Sequence, residues 1–299
     1  DTEGSHYKAL DFCGGVKPYV LRGTDNHRGV TTRLRYAPST RFFLEDRASG
    51  HPWLTPLPFP VQVLEKVESI DHISGNKHVS TYRYHHGYYD GRERAFMGFG
   101  RVDQFDTETF ADFARPDLHG EDSPFGNASP AHHMPPVETR TWYHTGVYFD
   151  SLGARRVDYR DLAQRFRQEF YALDTLAPPL PPHMVETGDA PAEAYRALRG
   201  APLRSEIYAH DGSERAVHPY QVSETRHRVK QLQPRGGNAH AVFLVDQAEG
   251  LSYSYERNPT DPRITHTLTL ALDAYGNPLR TLSIGYGRRQ ADADLPSPA

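Results

Sequence analysis

Apolar and polar residues alternate along several short stretches of the chain, and the alternation is clearest between Ile264 and Leu272. Ile264, His266, Leu268, Leu270 and Leu272 form one series, and Thr265, Thr267, Thr269 and Ala271 form the other. A period of two with one mostly apolar side predicts a half-buried antiparallel strand. A turn at Asp273 to Asn277 and a return strand from Leu279 to Tyr286 complete the predicted hairpin.

More strands are predicted upstream of this hairpin. Ser205 to Ala209 leads into an Asp211-Gly212 turn, and Tyr220 to Leu232 reads as one long polar strand. Ala239 to Val245 and Leu251 to Tyr255 predict a hairpin that turns at Gly250. Candidate strands also occur before residue 50, and a strand is predicted at Thr139 to Thr145.

The stretch from Thr81 to Asp106 predicts a further hairpin. Tyr82, Tyr84 and His86 should share one strand face. The segment from Gly87 to Gly91 is the predicted turn, since glycine adopts a positive φ at low cost. Gly98 and Gly100 interrupt the return strand, which favours a bulge or a close backbone approach.

Helices have a small share of the predicted structure. Leu162, Phe166, Phe170 and Leu173 give an apolar stripe within Val157 to Leu173. A second helix is expected after Asp189 as N-cap, with Pro191 in the first turn and Gly200 at its end. Pro52 to Pro60 contains four prolines and predicts an extended connector.

Composition narrows the classes of function. The net charge of −4 argues against a nucleic-acid partner, because such proteins usually carry a basic excess. No stretch approaches the roughly 20 apolar residues of a membrane-spanning helix, so no direct membrane insertion is expected. A single cysteine excludes an internal disulfide. The non-Met start and the Pro-Ser-Pro-Ala299 end suggest a piece of a longer protein.

Candidate catalytic and metal-binding residues are weak. Cys13 has no basic neighbours that would activate a thiolate. The pairs His85-His86 and His132-His133 invite a zinc hypothesis, but adjacent strand residues point to opposite faces and are better read as structural. Tyr82, Tyr84, Tyr88, Tyr89, Phe96 and Phe99 could form a sugar-binding platform, although cross-strand aromatic pairs explain them equally well.

Several strings of the sequence have the form of a family signature. The longest is Tyr82-Arg-Tyr-His-His-Gly-Tyr-Tyr-Asp-Gly-Arg-Glu-Arg-Ala-Phe-Met-Gly-Phe-Gly100, and others begin at Leu21, Tyr36, Val67 and Leu251. These strings resemble the B component of bacterial insecticidal toxin complexes (Tc toxins). Leu272-Asp-Ala-Tyr-Gly-Asn277 and Gly285-Tyr-Gly-Arg-Arg289 fit as well. The signature residues expected to be structural are Tyr82, Tyr84, His86, Gly87, Asp90, Gly91, Phe96, Gly98, Phe99, Gly100, Asp273, Gly276 and Asn277.

The resemblance implies a mainly β fold: an antiparallel β-sheet strip of an RHS/YD-repeat-type shell, with one or two short helices. In that family the B component has an SpvB-like region and a β-propeller that docks on the pore-forming A component. With the C component it forms a hollow shell around a toxic polypeptide. The implied partners are the C component and, through the propeller of the parent protein, the A-component pore. The implied location is secreted or associated with the bacterial surface.

The resemblance also implies a non-catalytic fragment without a cofactor, because the self-cleaving aspartates of the family belong to the C component. The expected division is a TcdB middle/C-terminal-like β region at 1–145, a connector at 146–202, and degenerate YD-repeat hairpins at 203–299. The Asp-x-x-Gly frames at Phe149 to Gly153 and Leu272 to Asn277 suggest such repeats. A carbohydrate-binding β module and a hydrolase using His and Asp on the sheet rim are the alternatives.

Overall fold

A computed structural model describes residues 17–107, 118, 134–148, 165–177 and 180–290, which form one mainly antiparallel β-sheet. Its strands are β1 (Gly23–Asp25), β2 (Val30–Pro38), β3 (Gln62–Asp71), β4 (Asn76–Asp90), β5 (Ala95–Asp106), β6 (Val137–Tyr143), β7 (Met184–Val185), β8 (Pro202–Ala209), β9 (Gln221–Gln233), β10 (Val242–Ser254), β11 (Arg263–Leu272) and β12 (Pro278–Gly285). Helix is described at α1 (Ser39–Ala48), at α2 (Pro191–Arg196) and over residues 165–167, with a 3-10 turn at Glu214–Val217. The mainly β fold with short helices is therefore confirmed.

The strands follow one another across the sheet in chain order, except for β7. Each neighbour pair on this path is antiparallel, so successive connections alternate between the two ends of the sheet. β7 pairs in parallel with β9 at Met184↔Arg228, beside the part of β9 that β8 leaves unpaired. The division at residues 145 and 202 stays a prediction; β6 and β8, on either side of the connector, are directly hydrogen-bonded.

Segments between strands pack on the sheet and create its apolar cores. Helix α1 contributes Phe42 to a core with Val63. The connector contributes Phe166 to a core around Trp142, and Leu180 to a core around Val222. Ala194 of helix α2 and Leu198, two residues after its end, pack against Val229 of β9.

Helix α1 was not predicted, because residues before 50 were assigned to strands. Phe42 and Asp46 lie one turn apart and are both buried. An ion pair of 3.4 Å joins Arg41 and Glu45 at the i,i+4 spacing that supports a helix. The Pro52 to Pro60 segment is free of strand, as expected, and continues from this helix to β3.

The structure confirms the hairpin predicted at Thr81 to Asp106, but the predicted position of its turn is wrong. β4 continues through Gly87 to Asp90, and the turn spans Gly91 to Arg94. Gly87 instead faces Trp53 and Leu57, each 2.7 Å from where a Cβ would stand. His86 has a φ of 57°, so the predicted alternation of Tyr82, Tyr84 and His86 ends there, and residues 85 to 88 are all buried.

The two glycines of the return strand behave as predicted. The pairing register of β4 and β5 shifts between Tyr88 and Tyr89. Tyr88 pairs with Gly98, which has a φ of 106°. Gly100 allows a close approach, because an added Cβ would lie 2.6 Å from the Phe166 ring. The bulge and the close approach are thus both confirmed.

Two details of the later strands correct the sequence interpretation. Gly250 is no turn: β10 runs straight through it, with Thr225 and Thr267 opposite on either side. β11 and β12 confirm the final hairpin, but a register irregularity after Thr269 leaves Leu270 53% exposed instead of on the apolar side.

Among the described connector residues, the predicted helix does not extend to Leu173. Helix covers 165–167 and gives way to a turn, so Leu173 is exposed while Phe166 is buried. In α2, Pro191 occupies the first turn and Gly200 has a φ of 79°, as expected, but Ala190 is the N-cap instead of Asp189. Leu162, Cys13, His132-His133 and the Phe149 to Gly153 frame lie outside the described residues.

Substituting Gly98 by alanine tests the special backbone angle in the hairpin. Because the side chain itself would meet open space, we expect a loss of about 1–2 kcal/mol of unfolding free energy from backbone strain alone. Gly91→Ala in the adjacent turn also meets open space and has no positive φ, so it is the matched control. Chemical denaturation of both variants measures the difference, and equal stabilities would refute the strain.

Candidate functional site

A band of buried charged side chains crosses the middle of the sheet. Asp103 of β5 lies opposite Arg140 of β6, which lies opposite Glu206 of β8. In the next row, Arg101, Trp142 and Arg204 lie opposite one another in the same way. Directly opposed residues share a sheet face, so these side chains form a continuous band.

His85 and Asp103 form the β4 end of this band with Asp46 of α1. The His85 Nδ1 lies 2.6 Å from Asp46 Oδ2, and its Nε2 lies 3.1 Å from Asp103 Oδ2. Burial disfavours charge on this ring, but the hydrogen bonds to Asp103 and Asp46 raise its pKa. With both ring nitrogens on carboxylates, His85 has no lone pair with which to activate a nucleophile.

Glu169 of the connector covers part of the band and is hydrogen-bonded to it. Its carboxylate accepts hydrogen bonds from His86 Nε2 at 2.8 Å, Trp142 Nε1 at 3.0 Å and Arg101 at 3.2 Å. Burial raises its pKa, but the hydrogen bond and charge of His86, the bond from Trp142 and the charge of Arg101 outweigh this and set it at about 2. Glu169 therefore anchors the connector to three strands in its ionised form.

The charged side chains at the other end of the band also have ion-pair and hydrogen-bond partners. Arg204 pairs with Glu206 at 2.6 Å and with Glu224. The fully buried Glu206 also accepts hydrogen bonds from the Tyr208 hydroxyl at 2.6 Å and from the Tyr171 backbone N–H at 2.8 Å. Phe170 of the connector lies against both Trp142 and Arg204. Here too the connector supplies partners for charges that the sheet buries.

Several aromatic residues of the signature pack against one another within the sheet. Tyr84 donates to the Leu64 carbonyl at 2.9 Å and packs against Phe99, and Phe99 contacts Phe96. Burial raises the pKa of Tyr84 and of Tyr88 to about 12, so both phenols stay neutral. A cavity of about 640 Å³ beside the hairpin turn is lined by Tyr88, Tyr89 and Tyr148, with Arg92, Glu93 and Arg196 among its polar residues.

An aspartate opens several hairpin turns and organises each in a similar way. Asp273 accepts hydrogen bonds from the N–H groups of Tyr275 and Asn277, both at 2.8 Å, and Gly276 has a φ of 88°. Asp71 and Asp90 accept from backbone N–H groups two and three residues on, and Asp211 accepts from the one two residues on. These bonds are typical of Asx turns. The sequence identified Asp273 in an Asp-x-x-Gly frame and Asp90 as a signature residue, but gave no sign of the Asp71 turn, whose glycine comes one residue later.

The opposite side of the central strands carries a row of hydroxyl groups. Each member lies directly opposite the next in the pairing register, and all are partly or fully exposed: Thr141, Ser205, Ser223, Ser252 and Thr265. Sequence patterning predicted a threonine side on β11, and the pairing extends it across five strands. This part of the sheet therefore has one charged side that the connector covers and, on the other side, a row of uncharged hydroxyl groups.

Three histidines that the sequence interpretation missed lie together near β9: His144, His183 and His227. They are far apart in the chain, and no local spacing motif marks them.

Of the helices in the described residues, none is long and apolar enough to cross a membrane.

The comparisons with known proteins agree with the strings noted in the sequence. The family model for the insecticide toxin TcdB middle/N-terminal region matches residues 3–114, and that for its middle/C-terminal region matches residues 193–299. The name expected for residues 1–145 was the middle/C-terminal region, whereas the model that matches there is the middle/N-terminal region. Curated proteins give no significant match.

Solved structures of toxin complexes match most of the chain. The crystal structure of TcdB2-TccC3-Cdc42 is 31% identical with a TM-score of 0.72, covering 93% of this chain and 12% of that chain. TcdB2-TccC3 without its hypervariable C-terminal region is 34% identical with a TM-score of 0.72, covering 94% and 13%. The Photorhabdus luminescens Tc holotoxin pore with the TccC3-D651A mutation is 34% identical with a TM-score of 0.70, covering 92% and 12%. The chain thus spans about one eighth of the length of these relatives.

The extended antiparallel sheet and these structural matches place the chain in the class of toxin-complex shell proteins. Within that class, the chain belongs to the TcdB family and is a TcdB-like fragment of a Tc toxin B component.

Glu169→Gln tests the anchoring of the connector through its pH dependence. The pKa of Glu169 is about 2 in the folded chain against an ordinary value of 4.5, so its stabilising effect is complete above pH 4.5 and is lost as the pH falls towards 2. We expect the variant to lose on the order of 2–3 kcal/mol of unfolding free energy at pH 7. The difference from the parent should shrink between pH 4.5 and 2.

Glu186→Gln, on an exposed connector residue, is the control and should follow the parent at every pH. Denaturant titrations at a series of pH values measure all three proteins. A constant gap between the parent and Glu169→Gln would show that the carboxylate charge does not anchor the connector.

Proposed function

We propose that this chain is part of the wall of a hollow β-shell that the B component forms with the C component. The shell would enclose a cytotoxic polypeptide and deliver it through the A-component pore. The observation that carries the proposal is the single sheet in chain order, matched over nine-tenths of its length in complexes of TcdB2 with TccC3. The secreted location and the two partners belong to the same proposal.

The edges of the sheet support a wall. β1 and β12 each have one hydrogen-bonded neighbour among the described strands, so each offers backbone donors and acceptors along its other side. β12 is exposed along almost its whole length, including Leu279 and Leu282. A strip with two open edges is suited to extension by further strands.

The two sides of the sheet also support a wall. The connector covers the buried charges on one side, while the hydroxyl row forms a polar, partly exposed strip on the other. An uncharged polar strip would bind an enclosed polypeptide weakly. The Asp-headed turns would then be degenerate YD repeats that hold neighbouring strands of the wall in register.

A non-catalytic role is part of the proposal, and the contacts of His85 support it. His85, the buried histidine with two carboxylate partners, is saturated by ion pairs. A hydrolase built on this His–Asp pair would need a free ring nitrogen next to a nucleophile.

The cavity beside Tyr89 and Tyr148 favours a carbohydrate-binding module as the second candidate. Its tyrosines and charged groups are suited to sugar hydroxyls and ring faces. A glycan array with the parent chain tests this, with Tyr89→Ala as the informative variant. Tyr84→Ala, suggested by sequence patterning, would damage the packed hairpin instead.

Protease protection of the cargo tests the shell. In the complex of the full-length B component with its C component, the enclosed polypeptide should resist trypsin until denaturation. Val222→Asp places a charge in a fully buried site of β9 and should remove that protection. Lys230→Asp introduces the same side chain at an exposed site of β9 and should leave it intact. Rapid cargo digestion in the parent complex would rule out a closed shell.

The open edge predicts self-association of the 299-residue chain. Charged substitutions discourage edge-to-edge pairing, so Leu279→Lys with Leu282→Lys should shift the chain towards the monomer in a sizing column with light scattering. Leu176→Lys changes an exposed leucine of the connector, away from the edge strand, and is the control. A parent chain that is monomeric at every concentration would contradict this expectation.

A further inference from the structure

We propose that His144, His183 and His227 form a structural zinc site that fastens the connector to the two halves of the sheet. His144 directly follows β6, His183 directly precedes β7, and His227 lies within β9. One potential donor atom from each ring lies within 4.8 Å of the others. The site is distinct from the charged band and from the proposed shell function.

The three rings face one another at short range. The centroids of His144 and His183 are 4.3 Å apart, those of His144 and His227 are 5.9 Å apart, and those of His183 and His227 are 5.7 Å apart. The backbone around them is fixed: the His144 N–H donates to the Ala201 carbonyl at 2.9 Å, and the His144 carbonyl accepts from Gly200 at 2.8 Å. β7 holds His183 beside His227 through its pairing with β9.

The histidines are held in the form that binds metals. Burial, with smaller repulsion from the other two rings, lowers the pKa of His144 well below its ordinary value. Burial, with repulsion from His227, lowers the pKa of His183 to about 4, and burial lowers the pKa of His227. All three rings are therefore neutral near pH 7, and neutral imidazole is the ligand form of histidine.

The Nδ1 atom of His227 gives independent support for a bound metal ion. His227 is only 7% exposed, and its Nδ1 has no hydrogen-bond partner among the described residues. A buried ring nitrogen without a partner is unfavourable, because it has lost its hydrogen bond to water. A metal ion bound to Nδ1 would satisfy it.

His183 requires a local change when metal binds. Its Nδ1 accepts a hydrogen bond of 2.9 Å from the His227 backbone N–H, which places the ring proton on Nε2. To bind through either nitrogen, the ring has to release this hydrogen bond and turn. His183 is partly exposed at the start of the two-residue strand β7, so its ring has room to do so.

The donor chemistry selects zinc among common metals. Three imidazole nitrogens and one open position suit tetrahedral Zn²⁺, whereas Mg²⁺ and Ca²⁺ prefer oxygen ligands. Zinc–nitrogen bonds of about 2.0–2.1 Å place tetrahedral donors roughly 3.3 Å apart. The donor atoms would therefore draw together by about 1.5 Å at most, with water as the fourth ligand.

Zinc titration of the 299-residue chain without a polyhistidine tag tests the site. After chelator treatment, competition with a chromophoric chelator should show one equivalent of Zn²⁺ bound, and Zn²⁺ should raise the melting temperature. Co²⁺ should give the strong visible absorption of tetrahedral coordination. His227→Ala and His183→Ala should each weaken binding by more than the roughly 10–100-fold typical of outer-shell residues. Each should also abolish the Co²⁺ absorption.

His240→Ala is the matched control, because this histidine is exposed and lies outside the cluster, and it should bind Zn²⁺ as the parent does. Circular dichroism of the metal-free proteins separates a lost ligand from a lost fold. His183→Ala is the safer variant, since its ring is less buried than that of His227. A folded parent chain that binds no stoichiometric Zn²⁺, or variants that bind it as the parent does, would overturn the proposal.

Discussion

The buried charges that cross strands β5, β6 and β8 are the constraint on which the rest of the structure depends. A charged group removed from water is strongly unfavourable unless it is paired and hydrogen-bonded. The sheet supplies some of the partners through Arg101, Asp103 and Arg140, and the connector supplies others through Glu169 and the Tyr171 backbone. The same packing of the connector that satisfies these charges also completes the apolar cores around Trp142 and Val222.

This arrangement explains how a thin sheet can serve as a wall. A single sheet has two faces, and a stable protein has to bury at least one of them. Here α1, α2 and the connector supply the cover from within the same chain, so the wall needs no second sheet among the described residues. The two edges stay open for neighbouring strands, and the hydroxyl row keeps the opposite side compatible with water.

Turn chemistry maintains the order of the strands. A slip of one residue would exchange the charged side with the hydroxyl side, so the register has to be specified strongly. Aspartates at positions 71, 90, 211 and 273 fix the geometry of four connections through bonds to nearby N–H groups. Bulges beside Gly98 and near Ala248 add local bends without changing the strand order.

Patterns in the sequence predicted several local features without the structure: the long strands β9 and β11, the Asp273 turn and the bulge at Gly98. They also pointed to the toxin-complex family. Local alternation and turn residues report on backbone shape, because they depend on neighbours along the chain. Only the tertiary structure decided that Gly250 continues a strand, that Leu270 is exposed, and that Ser39–Ala48 is a helix. It also decided the partners of His85, Glu169 and the three clustered histidines, since residues tens of positions apart meet only through the pairing of strands and the packing of the connector.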